Sequence, residues 1–404
     1  EGGDQVLEGT VPTLDAVVAD DEARTLTIPL SKPNAEFPAL MSHPFFSPAD
    51  FGDLDEVGNS TGWGAAGLTV GNGPFELDSA NDDEVVLVRN DRWGGNVYGD
   101  TEAKLDELVF RVSADVDQAY VTFVGGEGDS GPIPPGEMAE AVEAFPNNTA
   151  GSPMLGADYY VFGADDPQLG GDENRGLRQA ISLAIDREQI NDEVYGGGRG
   201  IATGITPPGT PGFADGLCEF CEHDGEAAEA AFEAWEADGG AVSEPIRIGY
   251  NDGGTQVQVA TIVAANLQDT LGVEVELAPV ADDYFRVVAA PEGCELCRSG
   301  WYADYPSYAN FMVEQFSEEA LGTNNLGRFA DAGFERRLAE AMRESDDTAR
   351  AMLFNEAEQI LLNDEVMVVP LTWYRGAEVF RDDVPNVDVL PSGVIVWERV
   401  ALDR

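Results

Sequence analysis

The sequence predicts an α/β protein of two lobes, with a cleft between them at a hinge that the chain crosses twice. Three observations predict this. A strand–helix–strand unit lies between residues 246 and 277, strand-rich stretches occupy both ends of the chain, and 404 residues are too many for one simple core. Residues 1–158 read as a strand-rich portion of the first lobe, 159–373 as a second, α/β lobe, and 374–404 as a return to the first.

The elements follow in order. Leu14–Val18 and Leu26–Leu30 alternate around the acidic turn Asp20–Glu22, which predicts a hairpin. Gly71-Asn72-Gly73-Pro74 reads as a turn before strands at Phe75–Leu77 and Val85–Arg89. Leu108–Val112 reads as a further strand and Val116–Val124 as a helix. From about Tyr159 the pattern changes. Ala180, Ile181, Ala184 and Ile185 recur at helical spacing, which predicts one helix over Arg178–Ile190. Asp224 is placed to cap a helix through Trp235, which Gly239-Gly240 ends. Ile246–Tyr250, Gln256–Thr270 and Val273–Leu277 form the strand–helix–strand unit, and such a crossover implies parallel pairing. Phe334–Arg343 and Thr348–Leu362 read as helices, and Val366–Trp373 and Val387–Val396 as strands.

Charge excludes one class of partner. There are 76 Asp and Glu against 22 Lys and Arg, for a formal net charge of -54, so a phosphate backbone would be repelled. All but two of the bases are arginine, Lys32 and Lys104 being the exceptions. The acids are scattered, as in Glu226, Glu229, Glu233 and Glu236. An acidic, lysine-poor surface of this kind suits a halophilic setting, where salt screens the self-repulsion. No apolar run approaches the length of a membrane span.

Several segments resemble a known family. Leu177-Arg178-Gln179-Ala180-Ile181-Ser182-Leu183-Ala184-Ile185-Asp186-Arg187, followed by Val194-Tyr195-Gly196-Gly197-Gly198 and Pro207-Pro208, is similar to the solute-binding proteins of ABC importers, in the oligopeptide- and dipeptide-binding class. Gly73-Pro74-Phe75, Asn90 with Trp93, and Leu105–Phe110 fit upstream, and Gly300-Trp301-Tyr302-Ala303-Asp304-Tyr305-Pro306 and Ala357–Leu361 with Val369–Leu371 fit downstream. The matches run in family order from about residue 12 to the end. The resemblance implies a periplasmic-binding-protein-like fold, a receptor and no enzyme, a membrane permease as partner, and no cofactor. It further implies an extracellular or periplasmic place attached to the cell surface, and a monomer. The chain opens where the family is already deep in its first lobe, so the expectation is an incomplete first lobe.

The resemblance also implies a site. Asp304 would hold the α-ammonium of a peptide or another small cationic solute, a charge-assisted bond that strengthens in a closed cleft. Trp301, Tyr302 and Tyr305 would supply flat apolar walls. Dipeptide-binding relatives carry a carboxylate-gripping arginine after the strand equivalent to Ile246–Tyr250. Here Asn251-Asp252-Gly253-Gly254-Thr255 has none, which favours peptides longer than dipeptides. Against this stands Asp304 as a plain turn residue before Pro306.

Cys218-x-x-Cys221 and Cys294-x-x-Cys297 have the spacing of a tetrathiolate zinc site. Export, which the resemblance implies, favours disulfides instead, in any of three connectivities. A hydrolase or metal-dependent enzyme is the rival function, and a folded remnant unable to bind is a third. Gly128-Asp129-Ser130-Gly131 imitates a nucleophile loop, but His43 and His223 are the sole histidines and neither completes a recognisable triad.

Overall fold

The structure, a computed structural model, describes residues 5–6, 9–10, 17–47, 71–146, 149–150, 152–385 and 387–403. The chain begins with an antiparallel hairpin of β1 (Val18–Asp20) and β2 (Thr25–Thr27), whose turn is held by Asp20 Oδ1 accepting from the Ala23 amide. Leu14 lies outside the described residues. A short helix α1 (Phe37–Leu40) precedes a meander of β3 (Phe75–Ala80), β4 (Glu84–Arg89) and β5 (Glu107–Arg111). Asn81 makes the first turn of the meander by accepting from the amides of Asp83 and Glu84, a local bond that asparagine favours. Helix α2 (Val116–Val124) is capped by Asp115, and β6 (Ser130–Pro132), α3 (Met138–Ala144) and β7 (Thr149–Ala150) follow.

The main core follows. It runs through β8 (Pro153–Phe162), α4 (Arg175–Ala184), α5 (Arg187–Tyr195), β9 (Gly200–Ile201), α6 (Gly225–Ala237), β10 (Ile246–Asn251) and α7 (Thr255–Leu271). It continues through β11 (Val275–Val280), α8 (Tyr284–Val288), β12 (Leu296–Tyr302), α9 (Tyr308–Phe316), α10 (Ala332–Ala341), α11 (Asp347–Gln359) and β13 (Val368–Arg375). Six of these strands make one mixed sheet in the order β11-β10-β12-β8-β13-β9. β10 pairs in parallel with β11 and β12, as the crossover helix α7 requires, whereas β8 lies antiparallel between β12 and β13. After β13 the chain returns to the first sheet as β14 (Glu378–Phe380), which lies between β6 and β7. The link from β13 to β14 runs beside the start of β8, where the Gly376 amide donates to Ser152 O.

Two sequence readings are corrected. The single helix expected over Arg178–Ile190 is two, because Ile185 is extended and Asp186 caps α5 by accepting from the Gln189 amide. Val387–Val396 forms no strand, only an isolated bridge between Val389 and Ile395. Its alternating apolar residues serve a small cluster instead, with Ile395 beside Phe380, Val384 and Val400.

Two buried arginines hold the second lobe without a carboxylate. Arg187 donates to the carbonyls of Ser182, Ile185 and Pro370, and Arg178 to those of Leu169, Gly171, Glu365 and Val366. Burial pushes their guanidiniums down to about 9 and about 10. A lysine would lose its proton far sooner in such surroundings, and it lacks the fork that reaches several carbonyls at once.

Candidate ligand site at the ends of the central strands

The site is built by register. β8 and β12 pair so that Asp158 lies opposite Gly300 and Gly156 opposite Tyr302. Opposed residues share a face of the sheet, and successive residues alternate. Arg298, Gly300 and Tyr302 therefore stand on one face with Asp158, and Trp301 stands on the other. Behind Trp301 lies α9. The indole Nε1 donates to Asn310 Oδ1 at 2.8 Å, and the same oxygen accepts from the Asp304 amide at 3.0 Å. One asparagine thus fixes the strand end and the segment that follows it.

The four residues singled out from the sequence are dispersed around this end. Tyr302 is 56% exposed and its ring lies 4.3 Å from that of Tyr374. The Asp304 side chain is 49% exposed, with His43 Nε2 from the first lobe 3.9 Å from its Oδ1. The other ring nitrogen of His43, Nδ1, accepts from the Phe45 amide. Tyr305 is buried and its hydroxyl lies 3.3 Å from Glu314 Oε1. Trp301, on the far face, braces the segment rather than sharing a wall with Tyr302. Beside them lies a groove of about 430 Å³, lined by Glu36, Pro38, Gly212, Ser307, Tyr308 and Arg350.

Sequence reasoning missed a charged cluster on the Tyr302 face. Asp158, 4% exposed, accepts from Arg298 Nη2 at 2.9 Å, from the Tyr374 hydroxyl at 2.8 Å and from Arg199 Nη1. The Tyr195 hydroxyl lies 3.4 Å from its other oxygen. The Arg199 guanidinium lies over the rings of Tyr195 and Tyr374, at 3.8 and 4.4 Å from their centroids. Burial would push the Asp158 carboxyl up, but Arg199, Arg298 and Tyr374 outweigh it and hold the group below the usual carboxylate range. Gly300 makes room for this: a Cβ there would lie 2.7 Å from both Asp158 Oδ1 and the Tyr374 hydroxyl. The one sequence signal was an acid inside the otherwise apolar run Leu155–Phe162.

The cysteines do not converge on a metal. Cys218 is bonded to Cys221 and Cys294 to Cys297, and no cluster of three or more His, Cys, Asp or Glu suited to a metal occurs among the described residues. Of the two readings that the sequence leaves open, disulfides or zinc, the structure carries disulfides, one within each Cys-x-x-Cys. Mass spectrometry of the non-reduced protein should show both bridges, and metal analysis should show no stoichiometric zinc. One zinc per chain, lost with the fold on chelation, would reverse this assignment.

Residues 7–322 match the family described as bacterial extracellular solute-binding proteins, family 5 Middle. This chain belongs to that family. Among its relatives is the periplasmic oligopeptide-binding protein OppA of Escherichia coli, 25% identical over 94% of this chain and 69% of OppA. Another is the dipeptide-binding protein DppE of Bacillus subtilis, 23% identical over 98% of this chain and 71% of DppE. The unliganded open form of the murein tripeptide-binding protein MppA superposes with a TM-score of 0.78 at 23% identity, over 100% of this chain and 76% of that one. HbpA2 of Haemophilus parasuis does so with a TM-score of 0.80 at 23% identity, over 96% and 76%. The two-lobed fold of this family 5 binding protein is thereby established. Among the described residues no helix is long and apolar enough to cross a membrane.

Proposed function

We propose that this family 5 protein is the receptor of an ABC importer and captures peptides in the cleft beside Tyr302 and Asp304. The observation that carries the reading is a half-exposed carboxylate whose backbone is fixed by Asn310, two residues along the chain from an exposed aromatic ring at the end of the central strands. A fixed carboxylate suits a cationic end group, and a flat ring accepts side chains of varied shape. Peptide-binding relatives support the choice of ligand. The absence of an arginine from Asn251–Thr255 favours peptides longer than dipeptides. The working form is a monomer outside the membrane, engaging its permease and performing no catalysis. Calorimetry with peptides of two to five residues tests this. Binding that strengthens beyond two residues supports it, and heat from none of them would overturn it.

The proposal extends to the surroundings. Glu226, Glu229, Glu233 and Glu236 are all exposed on α6, and that helix carries no lysine or arginine to balance them. With a net charge of -54 the folded state repels itself, and molar salt screens that repulsion to within about 3 Å. The melting midpoint is expected to climb steeply between low and molar salt. A flat profile would mean an acidic protein with no need of salt.

A further inference from the structure

The cluster around Asp158 has an unusual balance. Two guanidiniums, Arg199 and Arg298, share a single carboxylate, and all three side chains are largely buried. Every polar group facing that carboxylate is a donor: two arginines and the hydroxyls of Tyr195 and Tyr374. Arg298 has little else. Among the described residues its Nη1 reaches only Asn251 Oδ1, at 3.4 Å, and its buried Nε has no hydrogen-bond partner. The space bounded by Asp158, Tyr195, Gln256, Arg298 and Thr372 does not admit a water molecule. Yet the cluster is only one ring deep, because Tyr374 carries Tyr302 on its outer side and Tyr302 is exposed, two residues from Asp304.

We infer that Asp158 is a built-in anion that occupies the paired guanidiniums of Arg199 and Arg298, and that it is a specificity-determining residue which denies them to a carboxylate on the ligand. Two arginines beside a binding surface are ordinarily a carboxylate trap, since each offers a fork matched to that group. Here the trap is already filled from within, by a group tethered to the central strand that cannot diffuse away. A ligand carboxylate would have to displace it, leaving Asp158 buried without a counter-charge, which is strongly unfavourable. Recognition at this end of the site then falls to the faces of Tyr302 and Tyr374 rather than to charge. The chosen ligands are those whose far end is neutral here, whether amidated, extended beyond the cluster or ending elsewhere.

Two measurements test this. The first does not depend on peptide binding. Asp158→Ala leaves a carboxylate-sized gap between two cations, so acetate or formate should raise the melting midpoint of that variant in a saturable manner. Chloride at equal ionic strength should give that variant only the general salt effect, and in the parent protein acetate, formate and chloride should be indistinguishable. Asp158→Asn, which keeps the side chain's shape and one accepting oxygen for the Tyr374 hydroxyl, serves the next arm and guards against a failure of the alanine variant to fold. The second arm rests on the peptide reading: the parent should bind a peptide acid and its amide within about twofold of each other. Asp158→Asn should prefer the acid by tenfold or more, with the gain fading at high salt. A parent that already prefers the acid tenfold would overturn the inference, as would an Asp158→Ala protein indifferent to carboxylates. A parent that binds no peptide at all would sink the proposed function, while the carboxylate rescue would still decide the role of Asp158.

Discussion

Changing Asp304 to Asn is expected to weaken peptide binding roughly ten- to a hundred-fold, a loss of about 1.5–3 kcal/mol, while leaving the melting midpoint unchanged. The reason is that the substitution turns a charge-assisted bond into a neutral one in a cleft that closes over its ligand. The fold should not notice, because the carboxylate is half-exposed and the bond that orders the segment comes from the Asp304 amide, which the variant keeps. N-acetylating the peptide removes the same charge from the other side. Its cost to the parent protein should be similar, and the two changes together should cost less than their sum. Calorimetry on the four combinations measures the coupling. Strict additivity would mean that Asp304 does not touch the ammonium.

A larger effect on stability is expected at Glu358. This side chain is fully buried at the end of α11, where Oε1 accepts from the amides of Ile205 and Thr206 and Oε2 from the Tyr308 hydroxyl at 2.6 Å. It ties the turn after β9 to the first residue of α9. Glu358→Ala orphans three buried donors, each costing about 1–3 kcal/mol, so a total loss of about 3–5 kcal/mol is expected after partial relaxation. The exposed Glu229→Ala should stay within about 0.5 kcal/mol of the parent. Burial raises the Glu358 carboxyl, and the bonds from Tyr308, Thr206 and Ile205 offset part of that rise. A carboxyl raised on folding favours the folded state at low pH, and its contribution falls as pH climbs from the free carboxylate range toward the folded value. The deficit of the alanine variant should therefore be greatest in mild acid. Chemical denaturation across pH checks both points, and a loss below about 1 kcal/mol would mean that water replaces the carboxylate.

Much of the second lobe was legible because its periodicity and its caps agree. The crossover unit fell within a few residues of β10, α7 and β11, and Asp224 caps α6 as its position suggests. The strand that matters most was not legible. β8 is buried on both faces, so Leu155–Phe162 shows no alternation to mark it as a strand. For the site, the Trp301–Tyr305 segment could be found because its residues are contiguous. Asp158, Arg199 and Arg298 could not, since partners 41 and 140 positions apart meet only through the sheet register. The opposite directions of Trp301 and Tyr302 were implicit in strand alternation, but only once Leu296–Tyr302 was known to be a strand.

The pairing of β8 with β13 has a mechanical consequence. The two strands are neighbours, and the pairing persists outward to the bond between Gly376 and Ser152, so the chain entering β8 and the chain leaving β13 form one paired ribbon and not two separate cords. A two-stranded ribbon takes up twist readily and resists bending within its own plane. It acts as a torsion bar. Its inboard end is clamped by the Tyr374–Asp158 bond, which spans the same two strands. Motion of one end of this ribbon against the other reduces to rotation about one axis.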